Sequence, residues 1–135
     1  MKTSLATGLH STTKFTVDRD RTIDFMGEAA RVYATPMLVR DIEIACRDLL
    51  LAHLDPGEDS VGTRVEIDHI AATLMGMSAE ITVKLVELSG RAVTFEIEAR
   101  DNVEAICRGR HSRFIVDVAK TAQRLAAKAH KAASA

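Results

Sequence analysis

Three side chains could together perform acyl-transfer chemistry: the hydroxyl of Thr35, the carboxylate of Glu43 and the imidazole of His69. In "YATPMLVRDIEIACRDLLLAHLD" (33–55), Thr35 precedes Pro36 and an apolar repeat, which predicts a helix with Thr35 as its N-cap. Glu43 falls on the stripe Val39, Glu43, Cys46, Leu50, so a carboxylate joins a face otherwise made of Val, Cys and Leu. In "RVEIDHIAAT", His69 is in phase with Val65 and Ile67 and points to the helix-facing side if the strand runs on without a bulge. A helix N-terminus adds free amides that stabilise developing negative charge. Hydroxyl, carboxylate, imidazole and amide donors are the groups that acyl transfer or hydrolysis requires.

Each residue also has a plainer reading. Thr35 can serve only as a cap. Glu43 lies near the edge of the apolar arc and can reach solvent or an arginine. A lone histidine on an apolar face is more often a core residue, and His53 and His111 read that way more strongly. The basic cluster Arg108, Arg110, Arg113 reads first as a solvated strand face, although arginine also holds phosphate.

The elements that must position these groups follow from periodicity. "TKFTVD" (13–18) predicts a short strand, and "DRTIDFMGEAARVYA" (20–34) an irregular stretch with at most a helical turn. The long helix spans about 36–54, and "DPGED" (55–59) ends it. Four strand-like runs follow at 62–73, 78–88, 91–99 and 104–118, the middle two alternating cleanly and the last carrying Gly109 as a candidate bulge. The connections "MGM", "SG" and "DN" are short, which predicts hairpins and an antiparallel meander. Residues 119–135 are rich in Ala and Lys and predict a closing helix. Strands with one apolar face and a single long helix to cover them give a two-layer α+β domain, and a sheet wrapped around one central helix is the hot-dog arrangement. Its exposed sheet edges make dimerisation a natural solution.

The bulk properties narrow the partners. The 135 residues suit one domain spanning 1–135, and 47% apolar with 27% charged residues is an ordinary globular composition. A net charge of −1 argues against general affinity for nucleic acid or anionic membrane. Cys46 and Cys107 read as two core thiols, not a disulfide or a metal site. The N-terminal residues lack a secretory core and no run approaches the ~20 apolar residues of a membrane helix, so a cytoplasmic protein is expected.

"ATPMLVRDIEIAC", "PGEDSVGTRVEIDHIAATLMG" and "GRHSRFIV" resemble the fluoroacetyl-CoA thioesterase group of hot-dog proteins, from about Tyr33 to Val116. The resemblance implies Thr35, Glu43 and His69 as catalytic residues, Gly62 as a substrate-contacting strand glycine, and Arg113 as a residue that binds the CoA moiety. It implies acyl-CoA as substrate, no cofactor, no metal, and a homodimer that can pair further into a tetramer. The chain also departs from that group. Pro36 follows Thr35 where the family has glycine, Ile44 replaces an aromatic, and the segment before the helix is too short for the family's aromatic lid, offering only Phe25 and Tyr33. The implied activity is therefore a general acyl-CoA thioesterase for a small or medium acyl group. Glu43 lies eight residues beyond Thr35, roughly 12 Å at 1.5 Å per residue, so the two address one substrate only from a distance or across two chains. Glu43 then activates water or attacks the carbonyl, with Thr35 orienting it. A nucleophilic Thr35 activated by His69 is the alternative scheme, and a non-catalytic acyl-CoA-binding module or a hydratase/dehydratase the alternative functions.

Overall fold

The computed structural model describes residues 1–135. β1 (His10–Thr16) leads into a segment holding the two-residue strands β2 (Thr22–Ile23) and β3 (Val32–Tyr33), which pair with each other. The central helix α1 (Thr35–Leu51) follows, then β4 (Glu58–His69), β5 (Ser78–Ser89), β6 (Ala92–Asp101), β7 (Ala105–Asp117) and the closing helix α2 (Val118–Ser134). The five long strands form one antiparallel sheet in the order β1-β5-β6-β7-β4, curved around α1: the hot-dog arrangement.

The alternating runs bury the residues their pattern predicts. Ala79, Ile81, Val83 and Leu85 of β5, and Val93, Phe95 and Ile97 of β6, are at most 1% exposed. They face Leu38, Ile42, Ala45, Cys46 and Leu50 of α1, whose i, i+4, i+7 spacing makes one stripe. Each fully buried Leu, Ile or Phe contributes about 1.5–3 kcal/mol, so this contact is the main reason the layers stay together. The buried stripe is centred one residue before the predicted one. Val39 and Glu43 flank it and stay partly open. Glu43 is thus on the rim of the core, not in it.

Two expectations change. The strands do not form a simple meander. β5, β6 and β7 are joined by tight turns, but β4 pairs with β7 at one edge while β5 lies on the far side, so residues 70–77 cross the layer. That crossover is pinned: Thr73 is fully buried, its hydroxyl donates to Asp101 at 3.0 Å, and its carbonyl accepts from the Tyr33 amide. Gly109 is not a bulge. It pairs in register with Ile67 and Ile97, and an added Cβ would meet Glu66 O at 2.1 Å, so the glycine permits close backbone approach. The bulges fall between Gly62 and Arg64, between Leu85 and Glu87, and between Ala99 and Arg100. The first of these keeps Gly62 on the inner face opposite Arg113, and then returns Val65, Ile67 and His69 to that same face.

α1 covers only part of the inner face of β4. Val65 remains 40% exposed, and Ile44 on the neighbouring helix surface 46%. β4 is also an unpaired edge of twelve residues.

Candidate active site

Thr35 is the first residue of α1, not its cap. Ala34 occupies the cap position, where its carbonyl accepts from the amides of Met37 and Leu38. Pro36 carries no N–H, which leaves the Thr35 amide as the donor at the helix end. Freed from capping, the Thr35 hydroxyl lies 2.8 Å from His69 Nδ1. His69 is the last residue of β4, brought there by the bulge and by the turn into the crossover. Its Nε2 is buried with no hydrogen-bond partner in the chain, and burial lowers its pKa below the ordinary histidine value. The imidazole is therefore a neutral base at physiological pH, with one nitrogen on a hydroxyl. Together Thr35 and His69 open onto a hollow of about 290 Å³ walled by Ile23, Val32, Tyr33, Ile70, Ala71 and Ala72.

Glu43 belongs to a second cluster. Its carboxylate lies 3.5 Å from Arg113 Nη1 and beside Gly62, whose missing side chain gives it room. It borders a separate groove of about 260 Å³ with Pro36, Val39, Arg40, Ile44, Arg47 and Arg113. Within one chain, then, the structure joins Thr35 to His69, and Glu43 to Gly62 and Arg113, but does not bring the two groups together.

Arg113 lines that groove, but most of its side chain is enclosed. It is 4% exposed, and its guanidinium is engaged by Ser60 Oγ at 2.7 Å, Ser60 O at 2.8 Å and His111 Nε2 at 3.1 Å. The reading of Arg113 as part of a solvated strand face fails because the inner register of β7 turns this side chain into the core, while Arg108 and Arg110 face outward. His111 is fully buried beside it.

Two further residues escaped the pattern reading. Tyr33 and Asp41 are 2% and 7% exposed, and the tyrosine hydroxyl donates to Asp41 Oδ2 at 2.5 Å. Arg21 Nε donates to the same oxygen at 2.9 Å, tying the 18–34 segment to the helix. The Tyr33 ring packs edge-on against His69, with centroids 6.4 Å apart. Asp41 sits one position from the apolar residue Ile42 and one turn from Leu38, the only sequence signal that could have marked it as buried. Cys46 and Cys107 are both buried and free, and burial pushes their thiols up to about 12 and about 11, which leaves them unreactive.

Comparison with known proteins places the fold and the sequence among thioesterases. A curated relative, the fluoroacetyl-CoA thioesterase of Streptantibioticus cattleyicolor, is 31% identical over 89% of this chain and 91% of its own length. A solved Thermus thermophilus protein of the thioesterase superfamily superposes with a TM-score of 0.89 at 26% identity, covering 98% of this chain and 99% of that one. A variant of the fluoroacetyl-CoA-specific enzyme solved with fluoroacetate and CoA superposes with a TM-score of 0.80 at 31% identity, over 87% and 99% of the two chains. Residues 17–119 match the family described as FlK, fluoroacetyl-CoA-specific thioesterase, and the chain belongs to that family.

Proposed function

We propose that this hot-dog enzyme hydrolyses acyl-CoA thioesters with Thr35 as nucleophile, His69 as its base and Glu43 as the carboxylate that activates water. Family membership makes the chain a thioester hydrolase. The observation that carries the assignment of roles is the 2.8 Å contact between the Thr35 hydroxyl and His69 Nδ1. As Thr35 Oγ attacks the thioester carbonyl, Nδ1 takes the hydroxyl proton. The oxyanion forms at the N-terminal end of α1, near the Thr35 amide. Collapse breaks the C–S bond, and Nδ1 returns its proton to the departing CoA sulfur. Water, deprotonated by Glu43, then attacks the acyl ester, and Thr35 leaves with a proton. The products are free acid and CoA, and no cofactor takes part.

One observation favours a second scheme, in which Glu43 activates water directly on the thioester: its half-exposed carboxylate is anchored by a buried cation. Single-turnover mass spectrometry of Glu43→Gln with an acyl-CoA separates the two. Acylated Thr35 accumulating in that variant supports the nucleophilic scheme. A reactive variant that never becomes acylated ends it.

The hollow at Thr35 is walled mainly by aliphatic side chains. Phe25 is 86% exposed and the Tyr33 hydroxyl is committed to Asp41, so neither forms an aromatic lid. A small or medium aliphatic acyl group suits this wall better than selection for fluorine. The separation of Glu43 from Thr35, the unpaired β4 edge and the exposed Ile44 and Val65 all support a homodimer whose two chains share the cleft. Tandem-linked dimers test it. With Thr35→Ala and Glu43→Gln both in one copy and none in the other, a site made within one chain keeps half its activity. A shared site loses nearly all. A cytoplasmic location suits this reading, and no helix is long and apolar enough to cross a membrane.

A further inference from the structure

Every polar nitrogen of the Arg113 guanidinium has a partner, and one of those partners admits a single protonation state. His111 Nδ1 lies 2.8 Å from the carbonyl oxygen of Arg64, which only accepts, so Nδ1 carries the ring proton. Its Nε2 lies 3.1 Å from Arg113 Nη1, which only donates, so Nε2 presents a lone pair. Two neighbours at opposite ends of the ring thus specify one neutral tautomer. The other groups beside it are Glu43 from α1, Val65 from β4 and Phe95 from β6. Ser60 supplies both its hydroxyl and its carbonyl to the far side of the same guanidinium. A buried guanidinium needs a carboxylate, and Glu43 is the one it has.

We propose that His111 and Ser60 are positioning residues: they fix the Arg113 guanidinium, which in turn fixes the Glu43 carboxylate beside Gly62. The inference rests on the reading of Glu43 as a catalytic carboxylate. Neither His111 nor Ser60 need touch substrate. A misplacement of about 1 Å at a reacting group lowers turnover on the order of 100-fold, so the cradle matters to rate well beyond its part in stability.

The test measures kcat, KM and melting temperature for His111→Leu, His111→Gln and Ser60→Ala, each with Glu43 intact and with Glu43→Gln. Leucine fills space but offers Arg113 no acceptor. Glutamine restores an acceptor oxygen and a donor. His111→Leu is expected to lower kcat about 10- to 100-fold with KM nearly unchanged, and His111→Gln to recover most of that loss. Ser60→Ala keeps the carbonyl acceptor and is expected to lower kcat several-fold, which covers the case of a His111→Leu chain that does not fold. In the Glu43→Gln background, the residual rate is expected to be indifferent to residues 60 and 111. A folded His111→Leu, or Ser60→Ala where that chain fails, with wild-type kcat beside an inactive Glu43→Gln overturns this proposal alone. So does an equal loss in both backgrounds, which marks general structural damage. A fully active Glu43→Gln removes both the catalytic reading of Glu43 and this inference.

Discussion

Gly62 offers a way to move the candidate carboxylate without touching it. A Cβ added there would lie 3.2 Å from Glu43 Oε2, 3.3 Å from His111 Cε1 and 3.6 Å from Arg113 Nη1. The first two separations are a few tenths of an ångström too short for comfort, and the third is ordinary contact. His111 is held at both ends and Arg113 by three partners, so the half-exposed Glu43 side chain is the one that gives. Gly62 has no positive φ, so Gly62→Ala brings no backbone strain and restricts the unfolded chain, a change worth about 0.4–1 kcal/mol in favour of folding. That offsets the local crowding, and the melting temperature is expected to stay within a few degrees of wild type. Turnover responds differently. If 1 Å of displacement lowers the rate about 100-fold, a shift of a few tenths lowers it roughly 3- to 10-fold. Thiol release from an acyl-CoA series, read beside thermal unfolding of the same samples, gives both numbers. Wild-type kcat/KM in Gly62→Ala refutes the placement of Glu43, and so does an activity loss matched by a collapse in stability.

Gly109→Ala is expected to be severe. Its Cβ would meet the Glu66 carbonyl at 2.1 Å and Ile67 Cα at 2.6 Å, both backbone, so β4 and β7 must separate; loss of soluble protein or a drop of several kcal/mol in urea unfolding checks it. Tyr33→Phe removes the donor to buried Asp41 and leaves Arg21 to hold it, which costs about 1–3 kcal/mol, measurable as a lower urea midpoint. Burial lowers the pKa of both His69 and His111, so the unfolded chain binds more protons at mildly acid pH. The stability they contribute is fully present above about 6.5, the ordinary histidine value, and is lost as pH falls below it; denaturant midpoints at pH 7.5 and 5.5 measure the difference, and His111→Gln removes part of it.

Local pattern carried much of this molecule. Alternation over 78–88 and 91–99 is enough to place β5 and β6 and to say which side chains they bury, because a strand's two faces follow directly from its period of two. The i, i+4, i+7 repeat placed α1 within a few residues, and Pro36 marked its start. The residue types of the candidate site were also legible, since a carboxylate and an imidazole in apolar phase stand out from their neighbours. Pairing decided the rest. Short connections cannot reveal that β4 leaves its sequence neighbour to pair with β7, because strand order is settled by long-range burial and not by any local signal. Whether Thr35 caps its helix or faces His69 depends on where the end of β4 arrives, and that depends on the bulge after Gly62. Arg113 shows the same limit most plainly. Three arginines stand at alternate or near-alternate positions in one strand, but only the sheet's register turns this one inward, where it becomes the buried cation beside Glu43 and not part of a solvated strand face.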